Sequence, residues 1–115
     1  MLAIGHHLAE QDCGLIVVAC NTATVAAVSA LREALPGIPV VGVEPGVKPA
    51  AASTRSGRIA VLATELTARS ERLAQLIAAH AGGVTVDVLA CPGWATRVET
   101  LRLGEPGFAA EFTAE

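Results

Sequence analysis

Gly14-Leu15-Ile16-Val17-Val18-Ala19-Cys20-Asn21-Thr22 decides the fold of this chain. The continuous apolar run Leu15 to Ala19 predicts a strand of a parallel sheet, buried on both faces. A helical pattern follows at once, from Ala23 to Leu35, with Val25, Val28, Ala30, Leu31 and Leu35 at helical spacings. Pro36-Gly37 ends it. The strand therefore delivers a thiol, an amide and a hydroxyl to the mouth of a helix, with Asn21 and Thr22 as expected capping residues. A helix N-terminus favours anions, so the same place suits a thiolate and a bound carboxylate.

The alternation continues outward. Pro39 to Val43, Arg58 to Ala63 and Val84 to Leu89 read as three further strands. Val47 to Ser53 suits a short helix, Thr64 to Ala81 carries one long helical pattern closed by Gly82-Gly83, and Ala95 to Leu103 suits a last helix. Leu2 to Gln11 reads as the end of a helix, as if the chain starts inside an element. The expected class is α/β, an open parallel sheet of about four strands with flanking helices. One region is expected over 1–103 and a loose tail over 104–115.

At 115 residues there is room for one core. Hydrophobic residues make up 52% and charged residues only 17%, with 3% aromatic, so small side chains must pack closely and some apolar surface lacks a cover. The net charge of −3 gives no basic footprint for nucleic acid. Three widely spaced cysteines, Cys13, Cys20 and Cys91, make no disulfide framework and suit a reducing cytoplasm. Without a CxxC pair or histidines at ligand spacing, no metal is expected. Residues 1–13 hold no Lys or Arg, and Glu10, Gln11 and Asp12 interrupt their apolar stretch, so no secretory signal is expected. No apolar run reaches the ~18 residues of a membrane span.

Ligands of parallel α/β sheets bind beyond the carboxyl ends of the strands. Cys20, Glu44, Thr64 and Cys91 each follow a predicted strand and should lie along that edge. Several chemistries fail at Cys20. A cysteine phosphatase loop needs an arginine where Ala26 stands, a thioredoxin site needs a cysteine where Ala23 stands, and no protease signature or phosphate-binding glycine loop is present. Proton transfer by the thiolate remains, beside the plain alternative of an inert buried cysteine. Thr64 suits a helix N-cap and Thr67, one turn on, a ligand contact or a solvated hydroxyl. Cys91 reads as packing at a strand end, and Cys13, at the opposite end of its strand, as structural.

The stretch Val17 to Thr24 closely resembles the first catalytic motif of bacterial glutamate racemases. Pro39 to Ala50 resembles their second block, Ser56 to Thr64 with Thr67 and Ser70 the third, and Cys91-Pro92-Gly93 with Glu99 the fourth. The resemblance implies part of a two-domain racemase fold, from the end of one domain through much of the next. It implies cofactor-independent interconversion of L- and D-glutamate by two cysteines on opposite faces of the α-carbon. D-Glutamate then feeds peptidoglycan synthesis. It makes Cys20 one acid–base cysteine and Asn21, Thr22, Thr64 and Thr67 substrate contacts. The partner is small-molecule glutamate, not nucleic acid or membrane, and a homodimer is compatible with the full-length family.

The family's Asp-Ser pair, Pro-Tyr-Gly segment and Gly-Cys-Thr-His block with the second catalytic cysteine are absent from these residues, and Leu73 stands where many relatives carry an aromatic. The chain thus resembles the middle of a racemase with one half of a two-base site. Two other readings stay open: a non-catalytic small-acid binding or regulatory remnant, and another cysteine-dependent racemase of the superfamily.

Overall fold

The computed structural model describes residues 1–100. The elements run α1 (Leu2–Glu10), β1 (Ile16–Val18), α2 (Asn21–Ala34), β2 (Val40–Gly42), α3 (Val47–Ser53), β3 (Arg58–Ala63), α4 (Glu65–Ala68), α5 (Glu71–His80), β4 (Thr85–Ala90) and α6 (Trp94–Thr100). The expected loose tail, 104–115, lies outside the described residues, as does the end of the last predicted helix.

Among the described residues all strand pairs are parallel, and helices flank them, as the α/β pattern predicts. Among the described residues, however, the four strands do not form one open sheet. They form two pairs, β1–β2 and β3–β4. Ile16 N–H donates to the Pro39 carbonyl and Val43 N–H to that of Val18, so the peptide groups of the residues flanking β2 face β1. The Val40 carbonyl therefore points outward. Arg32, on α2, donates to it from Nε at 3.2 Å and Nη2 at 2.9 Å. The guanidinium thus occupies the outer edge of β2, where a further strand would pair. β3 pairs instead with β4 over six positions, Arg58↔Thr85 to Ala63↔Ala90.

Each pair has its own core. Ile16, Val18 and Val40 pack on Ala27, Val28, Leu31 and Leu35 of α2 and its C-cap. Val47, Leu73 and Ala81 are buried against Ile59, Val61 and Val86. The expectation that β1 is buried on both faces is corrected, since Val17 is 56% exposed between buried Ile16 and Val18. One face of β1 meets α2, and its other face, with Val17 and neighbouring Val41, is open.

The long helix expected from Thr64 to Ala81 is two helices. The Thr64 hydroxyl accepts from Thr67 N–H at 3.4 Å, and the Ser70 hydroxyl accepts from Leu73 N–H at 3.2 Å while donating to the Thr67 carbonyl at 2.7 Å. Two caps six residues apart start two helices, because a serine or threonine side chain supplies an acceptor that an interior helix residue does not.

Gly42 lets β2 approach α2. A Cβ there would lie 2.5 Å from Thr24 Cγ2 and 3.0 Å from Val28 Cγ2. Thr24 and Val28 are buried and stiff at χ1, so neither can give way. Gly42→Ala is expected to cost about 1–3 kcal/mol in urea unfolding, the usual range for overpacking.

Candidate functional site

Cys20 is itself the N-cap of α2, with extended backbone (φ −143°, ψ 124°) and an exposed side chain. This corrects the expectation that Asn21 and Thr22 cap the helix: they are its first two residues. The Thr24 N–H is bonded to the Cys20 carbonyl at 2.8 Å. As at any helix start, the amides before it have no acceptor within the helix.

Facing this start is the first turn after β3. Thr22 Oγ1 lies 2.8 Å from Thr64 Oγ1 and 3.3 Å from Thr67 Oγ1, and the Thr64 hydroxyl donates to Thr67 Oγ1 at 3.2 Å. The three hydroxyls form a closed triangle that ties the start of α2 to the start of α4. Thr67 is only 2% exposed, so its hydroxyl is not solvated. Sequence spacing could not show this, because the partner that buries it lies 45 residues away.

Cys20, Asn21, Thr22, Thr64 and Thr67 line one cavity of about 220 Å³. Pro45 and the β3 residues Val61, Leu62 and Ala63 complete its wall. That is below the roughly 300 Å³ at which common small-molecule sites begin, so it suits a compact metabolite. None of these lining residues is charged. An anion here would be held by hydroxyls, the Asn21 amide and helix-start N–H groups.

The four residues that follow strands do not all converge. Cys20 and Thr64 share the cavity. Cys91 lines a neighbouring space of about 180 Å³ with Trp94 and Ala95, and its Sγ lies 3.7 Å from the Leu89 carbonyl, which can accept from it. Leu62, Ala63 and Thr64 separate the two spaces and border both. Glu44 is drawn away by Arg72, whose Nη2 donates to its carboxylate at 2.8 Å. Cys13 is half-buried in the turn before β1. Sequence reasoning missed Arg72, and it missed Thr24, whose buried hydroxyl donates to the Val18 carbonyl at 3.2 Å. Nothing in their local patterns marks these partners.

A parallel α/β scaffold with a cysteine at a strand-to-helix mouth, facing a threonine cluster, defines a class. The sequence pattern of the Asp/Glu/Hydantoin racemase family matches residues 1–114, and the chain belongs to that family. Within it, the chain is similar to glutamate racemases. It is 51% identical over 96 residues to the glutamate racemase of Pseudomonas aeruginosa, covering 84% of this chain and 36% of that protein. It is 52% identical over 97 residues to that of Pseudomonas putida, covering 84% and 37%. Escherichia coli glutamate racemase, solved with L-glutamate and the activator UDP-MurNAc-ala, superposes with a TM-score of 0.82 at 35% identity, over 96% of this chain and 42% of that one. Francisella tularensis glutamate racemase, solved with D-glutamate, gives a TM-score of 0.65 at 25% identity, over 86% and 37%. The chain thus spans little more than a third of the length of these curated relatives.

Proposed function

We propose that this chain carries one half of a glutamate racemase site, with Cys20 as the group that moves a proton at the α-carbon of glutamate. The observation that carries the reading is a thiol and three mutually bonded threonine hydroxyls around one small cavity that, among the described residues, has no charged side chain in its lining. Solved relatives hold L- or D-glutamate, which supports that substrate.

In this reading the Cys20 thiolate takes the α-proton as a general base. Negative charge then develops toward the α-carboxylate, where preorganised donors count most. The first amides of α2, the Asn21 side chain and the hydroxyls of Thr22, Thr64 and Thr67 are the donors at hand. A bound carboxylate would accept hydrogen bonds from hydroxyls that otherwise bond to one another. The chemistry uses protein groups alone. The product, D-glutamate, would serve peptidoglycan synthesis in the cytoplasm.

Inversion needs a second acid on the opposite face of the α-carbon. Of the three cysteines only Cys20 lines the cavity, and the sequence holds no Gly-Cys-Thr-His block. This polypeptide alone is therefore expected to exchange the α-proton with retention and to invert slowly. Incubation with L-glutamate in deuterium oxide, followed by proton NMR and chiral chromatography, tests this. The expected result is loss of the α-proton signal with little D-glutamate formed. Exchange no faster than buffer would sink the acid–base role. Racemization keeping pace with exchange would sink the one-base account. Glutamate binding without exchange would make the chain a small-acid binding module instead.

A further inference from the structure

The geometry assigns Thr24 as the positioning residue for Cys20. The assignment rests on the reading of Cys20 as the acid–base group. Cys20 has no side-chain hydrogen bond at the helix cap it occupies, and its side chain is exposed. Its backbone must therefore fix where the sulfur stands.

Thr24 grips that backbone on both sides of Ala19. Its Oγ1 donates to the Val18 carbonyl at 3.2 Å, and its N–H donates to the Cys20 carbonyl at 2.8 Å. The Val18 carbonyl also accepts from Val43 N–H at 3.2 Å, so one oxygen joins β1, the residue that follows β2, and α2. Thr24 is 3% exposed, which leaves its hydroxyl no water to prefer over this carbonyl. Its methyl sits against the bare Cα of Gly42, where any Cβ would overlap it. Thr24 lines no part of the Cys20 cavity, so it acts through Cys20 and not on a ligand.

Thr24→Val keeps the shape and the N–H but removes the hydroxyl. Thr24→Ser keeps the hydroxyl. Both are compared with the parent chain in glutamate α-proton exchange. Thr24→Val is expected to lower kcat by about ten- to a hundredfold, the scale of a small misplacement of a reacting group, with KM within about twofold of the parent. Thr24→Ser should recover kcat to within about threefold. An unchanged kcat in Thr24→Val, a change in KM alone, or a serine variant as impaired as the valine variant would each overturn the assignment.

A second measurement does not depend on turnover. The Cys20 Cα and Cβ carbon resonances should report one conformer in the parent and Thr24→Ser chains and several in Thr24→Val. A single unshifted Cys20 conformer in Thr24→Val overturns the assignment even if no chain exchanges glutamate; absent exchange in the parent counts against the proposed function instead. Should the valine variant not fold, Thr24→Ala replaces it in both comparisons with the same expected outcomes.

Discussion

On the proposed reading, Cys20→Ser is expected to cut α-proton exchange by orders of magnitude while leaving the chain as stable as before, or more so. A hydroxyl cannot replace a thiolate as base near neutral pH, so exchange should fall by about 10²–10⁴-fold, the usual contribution of a positioned acid–base group. Stability should move the other way. Cys20 occupies the N-cap of α2 without capping it through its side chain. Serine is among the preferred N-cap residues and could accept from the first-turn N–H groups, a gain of up to about 1 kcal/mol. A variant that loses function and gains stability separates a chemical role from a structural one. Exchange within about threefold of the parent would show that the thiol is not the base. A clear loss of stability would show that Cys20 holds the fold. Deuterium exchange by NMR and urea unfolding by circular dichroism read the two quantities independently.

Leu31→Ala should be the most damaging change for the fold. Leu31 is 1% exposed at the centre of the core that backs β1 and β2. Its Cδ2 also sits over the bare Cα of Gly5, where α1 crosses α2. Truncation therefore empties the core and loosens a helix contact together. Buried leucine truncations cost about 2–5 kcal/mol. Domains are held by about 5–15 kcal/mol in total, and a small core stands at the low end. With a urea dependence of about 1–3 kcal/mol per molar, the unfolding midpoint should fall by about 0.7 M or more. The single tryptophan lies in α6, outside this core, so far-ultraviolet circular dichroism is the suitable probe. A midpoint within roughly 0.3 M of the parent would show that this core is not what stabilises the first half.

Much of this arrangement was legible in local pattern. The run from Ile16 into Cys20, Pro36-Gly37 after α2, and Gly82-Gly83 after α5 mark elements by periodicity and by residues that stop it. The residues at the mouth of α2 and at the start of α4 followed from the same junctions, and the structure brings all five to one cavity. What local pattern could not carry were contacts between distant residues. Arg32 is a helix-surface cation by spacing, yet it covers the outer edge of β2 eight residues on, and the strands divide into two pairs. Thr67 becomes buried only because Thr22 comes to meet it. Glu44 follows a strand and was expected at the site, but Arg72 on α5 takes its carboxylate. Ser70 was the exception. Its Ser-Glu pair before Leu73, Leu76 and Ile77 is a helix-start signature inside what read as one continuous helix.

The apolar composition finds its counterpart in the sheet faces. Val17 and Val41 are exposed on the first pair, Leu62 and Leu89 on the second. These faces give the isolated polypeptide reason to self-associate, so kinetic work belongs at low protein concentration.

In the proposed function, glutamate binds against Cys20. Cysteine alkylation by iodoacetamide, quantified at each of Cys13, Cys20 and Cys91 by peptide mass spectrometry, tests it most directly. Saturating L-glutamate should slow modification of Cys20 by at least about tenfold, as expected when a bound ligand covers the thiol, and leave Cys13 and Cys91 unchanged. Modification of Cys20 at the same rate with and without glutamate, or protection of Cys91 in its place, would contradict the account.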